Sequence, residues 1–190
     1  MVDERQLKSL LKETEERMKK AVAATSKEFA AVRAGRASAA MLEGITVDYY
    51  GSRLPINQLA TISIPEPRMI LIQPWDKNVL KDIEKAIAQA DLGFNIISDK
   101  NSIRLIVPEL TEERRKELVK VVRRMAEEGR VAIRNIRREA IETIRKMERE
   151  KQISEDDKYR YQDEIQKLTD KYIEQIDELL KAKEKELLEV

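Results

Sequence analysis

The chain contains no cysteine and no histidine. The first absence removes disulfides and thiolate chemistry. The second removes imidazole acid–base work, and together they remove most zinc sites. Breakers are scarce, with five glycines and five prolines in 190 residues, and aromatics make up only 4%. That is the profile of a long-helix protein, not of a disordered one. No apolar run reaches the roughly 18 residues of a membrane span. The opening Met1-Val2-Asp3-Glu4-Arg5 lacks the apolar stretch of a signal peptide and the acid-poor character of a transit peptide. A soluble, cytoplasmic protein with no membrane partner is expected. The net charge is only +1, so any basic surface must arise by segregation. Glycine-rich phosphate loops and a nucleophile elbow are missing too. The acidic pairs Glu127-Glu128 and Asp156-Asp157 are unremarkable among 36 acids. No enzyme activity, cofactor or metal site is expected.

What the chain has is charge, at 38%, and 42% hydrophobic residues set at helical spacing. The longest pattern runs from Thr111 to Arg149. Leu118, Val122, Met125, Gly129, Ile133, Ile136, Ala140, Ile144 and Met147 recur at three- and four-residue steps, a narrow seam of the coiled-coil kind. One helix of that length is about 58 Å long, a rod that a compact globule of this size does not need. A second stripe, Arg123, Arg130, Arg134 and Arg137, lies within roughly 40° of one line, about 115° from the centre of the seam.

The first helix spans residue 3 to about residue 33, with a seam of Leu7, Leu11, Thr14, Met18, Val22, Thr25, Phe29 and Val32. The period then changes to two. Ile45, Val47 and Tyr49 alternate, and Gly51-Ser52 reads as a two-residue turn before Arg53-Leu54-Pro55. Ala60, Ile62 and Ile64 alternate again, Pro65-Glu66-Pro67 breaks the chain, and Met69 to Ile72 resumes as a buried strand. Asp76 caps a helix from Lys77 to Ala90, with Gly93 suited to its C-terminal cap. Ile96-Ile97 and Ile103-Leu105-Val107 supply two further strands. Trp75 and Tyr49-Tyr50 have the rings to stack on bases, but anchoring a small core is the commoner use and is the expectation here. After Pro108-Glu109-Leu110, Thr111 caps the long helix. Ser154 opens a third helix, whose seam is Tyr161, Ile165, Leu168, Tyr172, Ile176, Leu179 and Leu187.

Three seams of one type predict a long three-helix bundle from residues 1–33 and 109–190, with a small α+β domain inserted at 34–108. Two connections, Ala34-Gly35-Arg36-Ala37-Ser38 and Pro108-Glu109-Leu110, join the parts. A hinge and a rigid junction are equally consistent with them. Residues 111–149 carry thirteen basic against eight acidic side chains, and residues 154–189 seven against twelve. These charges either pair across the helix interface or leave guanidinium groups for phosphate, which arginine suits better than lysine.

Several segments together resemble the bacterial ribosome recycling factors. They are Val32-Arg33-Ala34-Gly35-Arg36-Ala37-Ser38, Val47-Asp48-Tyr49-Tyr50-Gly51, Gln58-Leu59-Ala60, Ile83-Glu84-Lys85-Ala86-Ile87 and Asp91-Leu92-Gly93. Leu110-Thr111-Glu112-Glu113-Arg114-Arg115-Lys116, Arg134-Asn135-Ile136-Arg137-Arg138 and Ile153-Ser154-Glu155-Asp156-Asp157 complete the set. The resemblance implies an L-shaped, hinged α+β molecule, mainly helical, with a three-helix bundle and a β/α/β domain. It implies a monomer that binds the post-termination ribosome across the tRNA sites and separates the subunits with elongation factor G and GTP. It also implies contact with large-subunit rRNA through Arg130, Arg134, Arg137 and Arg138, with Arg123 on the same stripe and Arg33 and Arg36 near the connection. Ala39 stands where the family often has proline, and Phe94-Asn95-Ile96 where it has Leu-Asn-Pro. A coiled-coil adaptor for proteins and a general RNA-binding chaperone are the alternative readings.

Overall fold

The structure, a computed structural model, describes residues 4–189. Contacts divide the chain into two units, one holding the chain up to Val32 and from Glu112 onward, the other Arg33–Thr111. The first is three long helices: α1 (Glu4–Ala31), α3 (Glu112–Arg149) and α4 (Glu155–Leu188). Asp3, assigned to the first helix by sequence, lies outside the described residues. The second holds β1 (Thr46–Tyr49), β2 (Ser52–Pro55), β3 (Ala60–Glu66), β4 (Met69–Pro74), α2 (Leu80–Ala90), β5 (Asn95–Ser98) and β6 (Ile103–Ile106). The architecture is α+β with helix predominant, as the periodicities predict.

Each bundle helix buries the stripe its sequence marks. Leu7, Thr14, Met18, Thr25 and Phe29 are buried on α1, and Tyr161, Ile165, Tyr172 and Ile176 on α4. On α3, Val122, Ala126, Ile133 and Ile144 are fully enclosed. The buried stripe is wider than the one read from sequence. Val119, Ala126 and Ile141 join it, whereas Met125, Leu168 and Leu179 are only half-buried. A helix packed on two neighbours buries a broad face rather than a strict coiled-coil line. Gly129 sits where three helices meet. A Cβ there would lie 2.4 Å from Thr25 Oγ1 and 3.0 Å from Ile176 Cδ1, so α1 and α4 both press on bare backbone.

The turn from α3 to α4 is fully satisfied. Lys151 is left-handed, with φ of 60°. Its N–H donates to Glu148 O at 2.9 Å and Gln152 N–H donates to Met147 O at 2.8 Å, the paired bonds of a Schellman motif. Ile153 is buried against Ile144, Tyr161 and their neighbours. Ser154 Oγ then accepts the Asp157 N–H at 3.0 Å and caps α4. Five residues thus reverse the chain with no unpaired helix end.

In the second unit, β3, β4, β6 and β5 form an antiparallel sheet in that order, and β1 and β2 form a separate hairpin. β4 and β5 run parallel with β6 between them, so β4–α2–β5 is a split βαβ unit. Ile70, Ile72, Ile103 and Leu105 from the sheet meet Ile83 and Ile87 of α2, and all six are essentially inaccessible to solvent.

Five local expectations are corrected here. The hairpin turn is Tyr50-Gly51, not Gly51-Ser52, because Tyr49 pairs with Ser52. Both turn residues have positive φ, 48° and 87°, as a type I′ turn requires. For tyrosine that conformation costs roughly 1–2 kcal/mol. Pro65 does not end its strand. β3 continues to Glu66 through a register shift, which an edge strand tolerates because the missing N–H faces away from the ladder. The residue that caps α2 at its C-terminus is Asp91, left-handed with φ of 48°, two residues before Gly93, whose φ of 81° is also positive. Asp76 caps a 3₁₀ turn, Lys77–Val79, which leads into α2. Finally, Trp75 and Tyr50 are not core anchors: they are 67% and 77% exposed, and only Tyr49 packs on the core.

Candidate nucleic-acid interface

The arginines of α3 fall on two lines, and helical geometry decides their fates. The flank line of Arg123, Arg130, Arg134 and Arg137 runs beside the groove between α3 and α4. There the acids of α4 reach it. Arg123 is ion-paired with Glu184 and is held more strongly protonated than usual by that bond. The Arg130 side chain is only 20% exposed. Its guanidinium reaches Asp177 at 2.7 Å and Glu127 at 3.1 Å. Arg134 donates to Glu127 at 3.2 Å but remains half exposed. Glu127 therefore bridges two arginines one helical turn apart, and their hydrogen bonds hold its carboxyl below the usual range. Arg137 donates Nε–H to the neutral Gln166 at 2.7 Å, and Gln166 in turn donates to Asp170 at 2.9 Å. The expected open stripe is thus engaged along much of its length. Arg123 and Arg130 pair across to α4, and Arg134 pairs within α3.

The outer line is different. Arg138 is exposed and, among the described residues, makes no ion pair or hydrogen bond. The same holds for Arg124 and Arg145, which the sequence reading passed over. Arg124, Val131, Arg138 and Arg145 are seven residues apart, and seven-residue steps drift by only about 20° each on a straight helix. They form one ridge roughly opposite the buried seam, beyond the reach of α4. Val131 sits on it 44% exposed. The signal was in the sequence as a period-seven repeat, but the denser flank stripe masked it.

The connecting segments lie together within the smaller unit. Gly35 has φ of +77°, and a Cβ there would meet Leu110 Cγ at 3.3 Å and Pro108 O at 3.7 Å. Ala37 N–H donates to Pro67 O at 2.7 Å, and Val107 N–H to Arg68 O at 2.8 Å. Arg68 also approaches Glu109 at 3.9 Å. Both connections are therefore tied to the turn between β3 and β4. Arg33 and Arg36 are exposed at the first of them, and Ala34 and Ala37 are half-buried. Among the described residues no group of side chains is arranged to hold a metal ion, and no helix is long and apolar enough to cross a membrane.

Comparison with known proteins matches residues 25–188 to the family described as ribosome recycling factor. The ribosome-recycling factor of Syntrophomonas wolfei is 58% identical over 97% of this chain and all of its own length. That of Carboxydothermus hydrogenoformans is 57% identical over the same shares. A solution structure of a ribosome recycling factor superposes with a TM-score of 0.74 at 50% identity, covering both chains fully. Another similar structure, with a TM-score of 0.61 and 48% identity over 96% of this chain and 99% of its own, is that of the T. thermophilus ribosome recycling factor. It is described with the E. coli elongation factor G bound to the E. coli post-termination complex.

Proposed function

The chain belongs to the ribosome recycling factor family, and on that premise we propose that it splits the post-termination ribosome together with elongation factor G and GTP. The family consists of non-enzymatic translation factors. The work here is therefore binding and force transmission, with GTP hydrolysis belonging to the elongation factor. The observation that carries the reading is the outer ridge of α3, three unpaired guanidinium groups on one straight helix of 38 residues.

Large-subunit rRNA is the proposed ligand of this ridge. Phosphate accepts two parallel hydrogen bonds from each guanidinium fork. Arg124, Arg138 and Arg145 are free to make them at once. Arg134 joins by leaving Glu127, at small cost, since exposed ion pairs contribute only about 0–1 kcal/mol. Arg123, Arg130 and Arg137 hold the flank of the ridge to α4 and contribute long-range field. No proline interrupts the chain from Glu112 to Leu188, and the three-helix contact at Gly129 stiffens the middle of the bundle. The bundle is then the anchor, the unit of residues 33–111 the moving arm, and the segments around Gly35 and Pro108 the hinge.

Polysome breakdown with purified elongation factor G and GTP tests this directly. Adding the protein is expected to convert polysomes to monosomes and subunits, and omitting either factor to stop the conversion. A coiled-coil adaptor would instead associate with proteins and fail to cosediment with ribosomes. A general RNA chaperone would anneal free RNA without the elongation factor. Either outcome would overturn the proposal.

A further inference from the structure

The smaller unit exposes its two largest rings where they serve no core. Trp75 is 67% and Tyr50 77% exposed. Their polar tips are already engaged. Trp75 Nε1–H donates to Thr61 Oγ1 at 3.0 Å, and the Tyr50 hydroxyl donates to Asp76 Oδ2 at 3.4 Å. Asp76 is fixed in turn by accepting the Asn78 N–H at 2.9 Å. The rings are thus held in place, Tyr50 also by T-shaped packing on Tyr49 at 4.6 Å between centroids, while most of their surface stays open to solvent. Tyr50 also occupies a left-handed turn position that glycine or asparagine would fill with less strain.

Beside this platform is a recess of 560 Å³ that Lys77, Asn78, Lys81, Asp99 and Lys100 line. Asp76 connects the two features, since it holds the Tyr50 hydroxyl and also accepts the N–H of Asn78, which lines the recess. Among the described residues none of the three lysines forms an ion pair, although this chain pairs most of its bundle arginines. The one acid in the recess is spent on backbone. Asp99 Oδ1 accepts from Asn101 N–H at 2.7 Å and Ser102 N–H at 2.8 Å. Three ammonium groups without an ion-pair partner therefore stand near two exposed rings, with Asp99 and Asp76 the carboxylates beside them.

We propose that Trp75 and Tyr50 stack an unpaired base of single-stranded RNA whose phosphates lie in the lysine recess, a second RNA contact separate from the α3 ridge. Stacking accepts any base, because every base has a π-face, and lysine is a point charge that suits a flexible backbone. A protein partner fits less well. It would have to bury three ammonium groups that no carboxylate of this surface pairs.

Trp75 is the only tryptophan in the chain, so its emission reports this surface alone. The full-length protein is titrated with a single-stranded ten-nucleotide RNA, a blunt RNA duplex and an abasic ribose-phosphate strand. The single strand is expected to quench Trp75 saturably, and the other two are not. By anisotropy of a labelled strand, Trp75→Ala is expected to weaken binding about 5- to 150-fold and Trp75→Phe much less. Lys77→Gln, Lys81→Gln and Lys100→Gln together are expected to flatten the log affinity against log salt slope by about 2. Arg138→Glu is expected to leave the quench unchanged, which separates this contact from the proposed ridge. Equal quenching by duplex or abasic strand, or no quenching at all, overturns the proposal. So does quenching by elongation factor G alone that single-stranded RNA does not reproduce, which would mark a protein-docking face.

Discussion

Replacing Gly129 by alanine tests the packing on which the rod depends. In an exposed helix interior the change gains about 1 kcal/mol, because alanine loses less backbone entropy than glycine. Here the added Cβ would stand 2.4 Å from Thr25 Oγ1 and 3.0 Å from Ile176 Cδ1. The isoleucine methyl ends a flexible side chain and can move. The threonine hydroxyl cannot move freely, since it donates to Ala21 O at 3.0 Å and its β-branched χ1 is restricted in a helix. Relief then requires α1 and α3 to separate, and overpacking of this kind costs about 1–3 kcal/mol. At so short a contact the upper part of that range applies. The net effect is a destabilisation of about 1–2 kcal/mol, or a fall in melting temperature of about 2–8 °C. Circular dichroism at 222 nm in a urea titration reads it, because the bundle supplies most of the helix. Thr25→Ala removes the clashing oxygen and leaves a Cβ at an ordinary 3.5 Å. In that background Gly129→Ala should stabilise by about 1 kcal/mol, a coupling of about 2–3 kcal/mol. If Gly129→Ala stabilises the unaltered chain, or the two changes simply add, the account of the three-helix contact is wrong.

Other perturbations separate the two arginine lines and the caps. Arg124→Glu and Arg138→Glu should each weaken ribosome cosedimentation and flatten its salt dependence by about one unit. Arg123→Glu should do less to ribosome binding, because that side chain is already committed to Glu184; equal losses at all three positions would contradict the assignment of roles. Lys151→Gly should stabilise the bundle by roughly 1 kcal/mol by relieving the left-handed residue, and Ser154→Ala should destabilise it by about 1 kcal/mol through loss of the cap. Urea midpoints of opposite sign check the pair. Burial, then the nearby Glu15 carboxylate, raises the Tyr172 phenol above its ordinary value near 10. Because the folded form holds that proton more tightly, the associated stability is complete below the ordinary value and is lost as pH rises through the folded one. The Asp76 carboxylate raises the Tyr50 phenol as well, so absorbance at 295 nm should show two tyrosines ionising late, and Tyr172→Phe should remove one of them; an unchanged late amplitude would refute the assignment.

How far the sequence reached follows from how local each cause is. Periods of three, four and two residues express which face of an element is apolar. They were sufficient for the bundle and the inserted α+β unit. Ser154 was legible as a cap because its partner, Asp157, is three residues away. Turn positions slipped where two signals competed. Gly51 was seen, but the left-handed residue beside it is a tyrosine, which propensity argues against. Asp91 took the role given to Gly93 for the same reason, since the chain's path, not preference, set the conformation. The commoner use of such rings assigns Trp75 and Tyr50 to the core, yet hydrophobicity says nothing about which ring a fold leaves outside.

The sequence by itself determined the helices, their seams, the inserted unit and the family, because side-chain periodicity and motif order do not require distant contacts. Only the tertiary structure decided which arginines are available. Arg123 and Arg130 lie at the edge of the α3–α4 groove, within reach of Glu184 and Asp177, whereas Arg138 lies on the far side of the same helix. Residues 61 and 47 positions apart meet only once two helices have packed. Coulomb attraction falls off over a few ångströms in water, so that packing assigns each guanidinium either to the fold or to a phosphate.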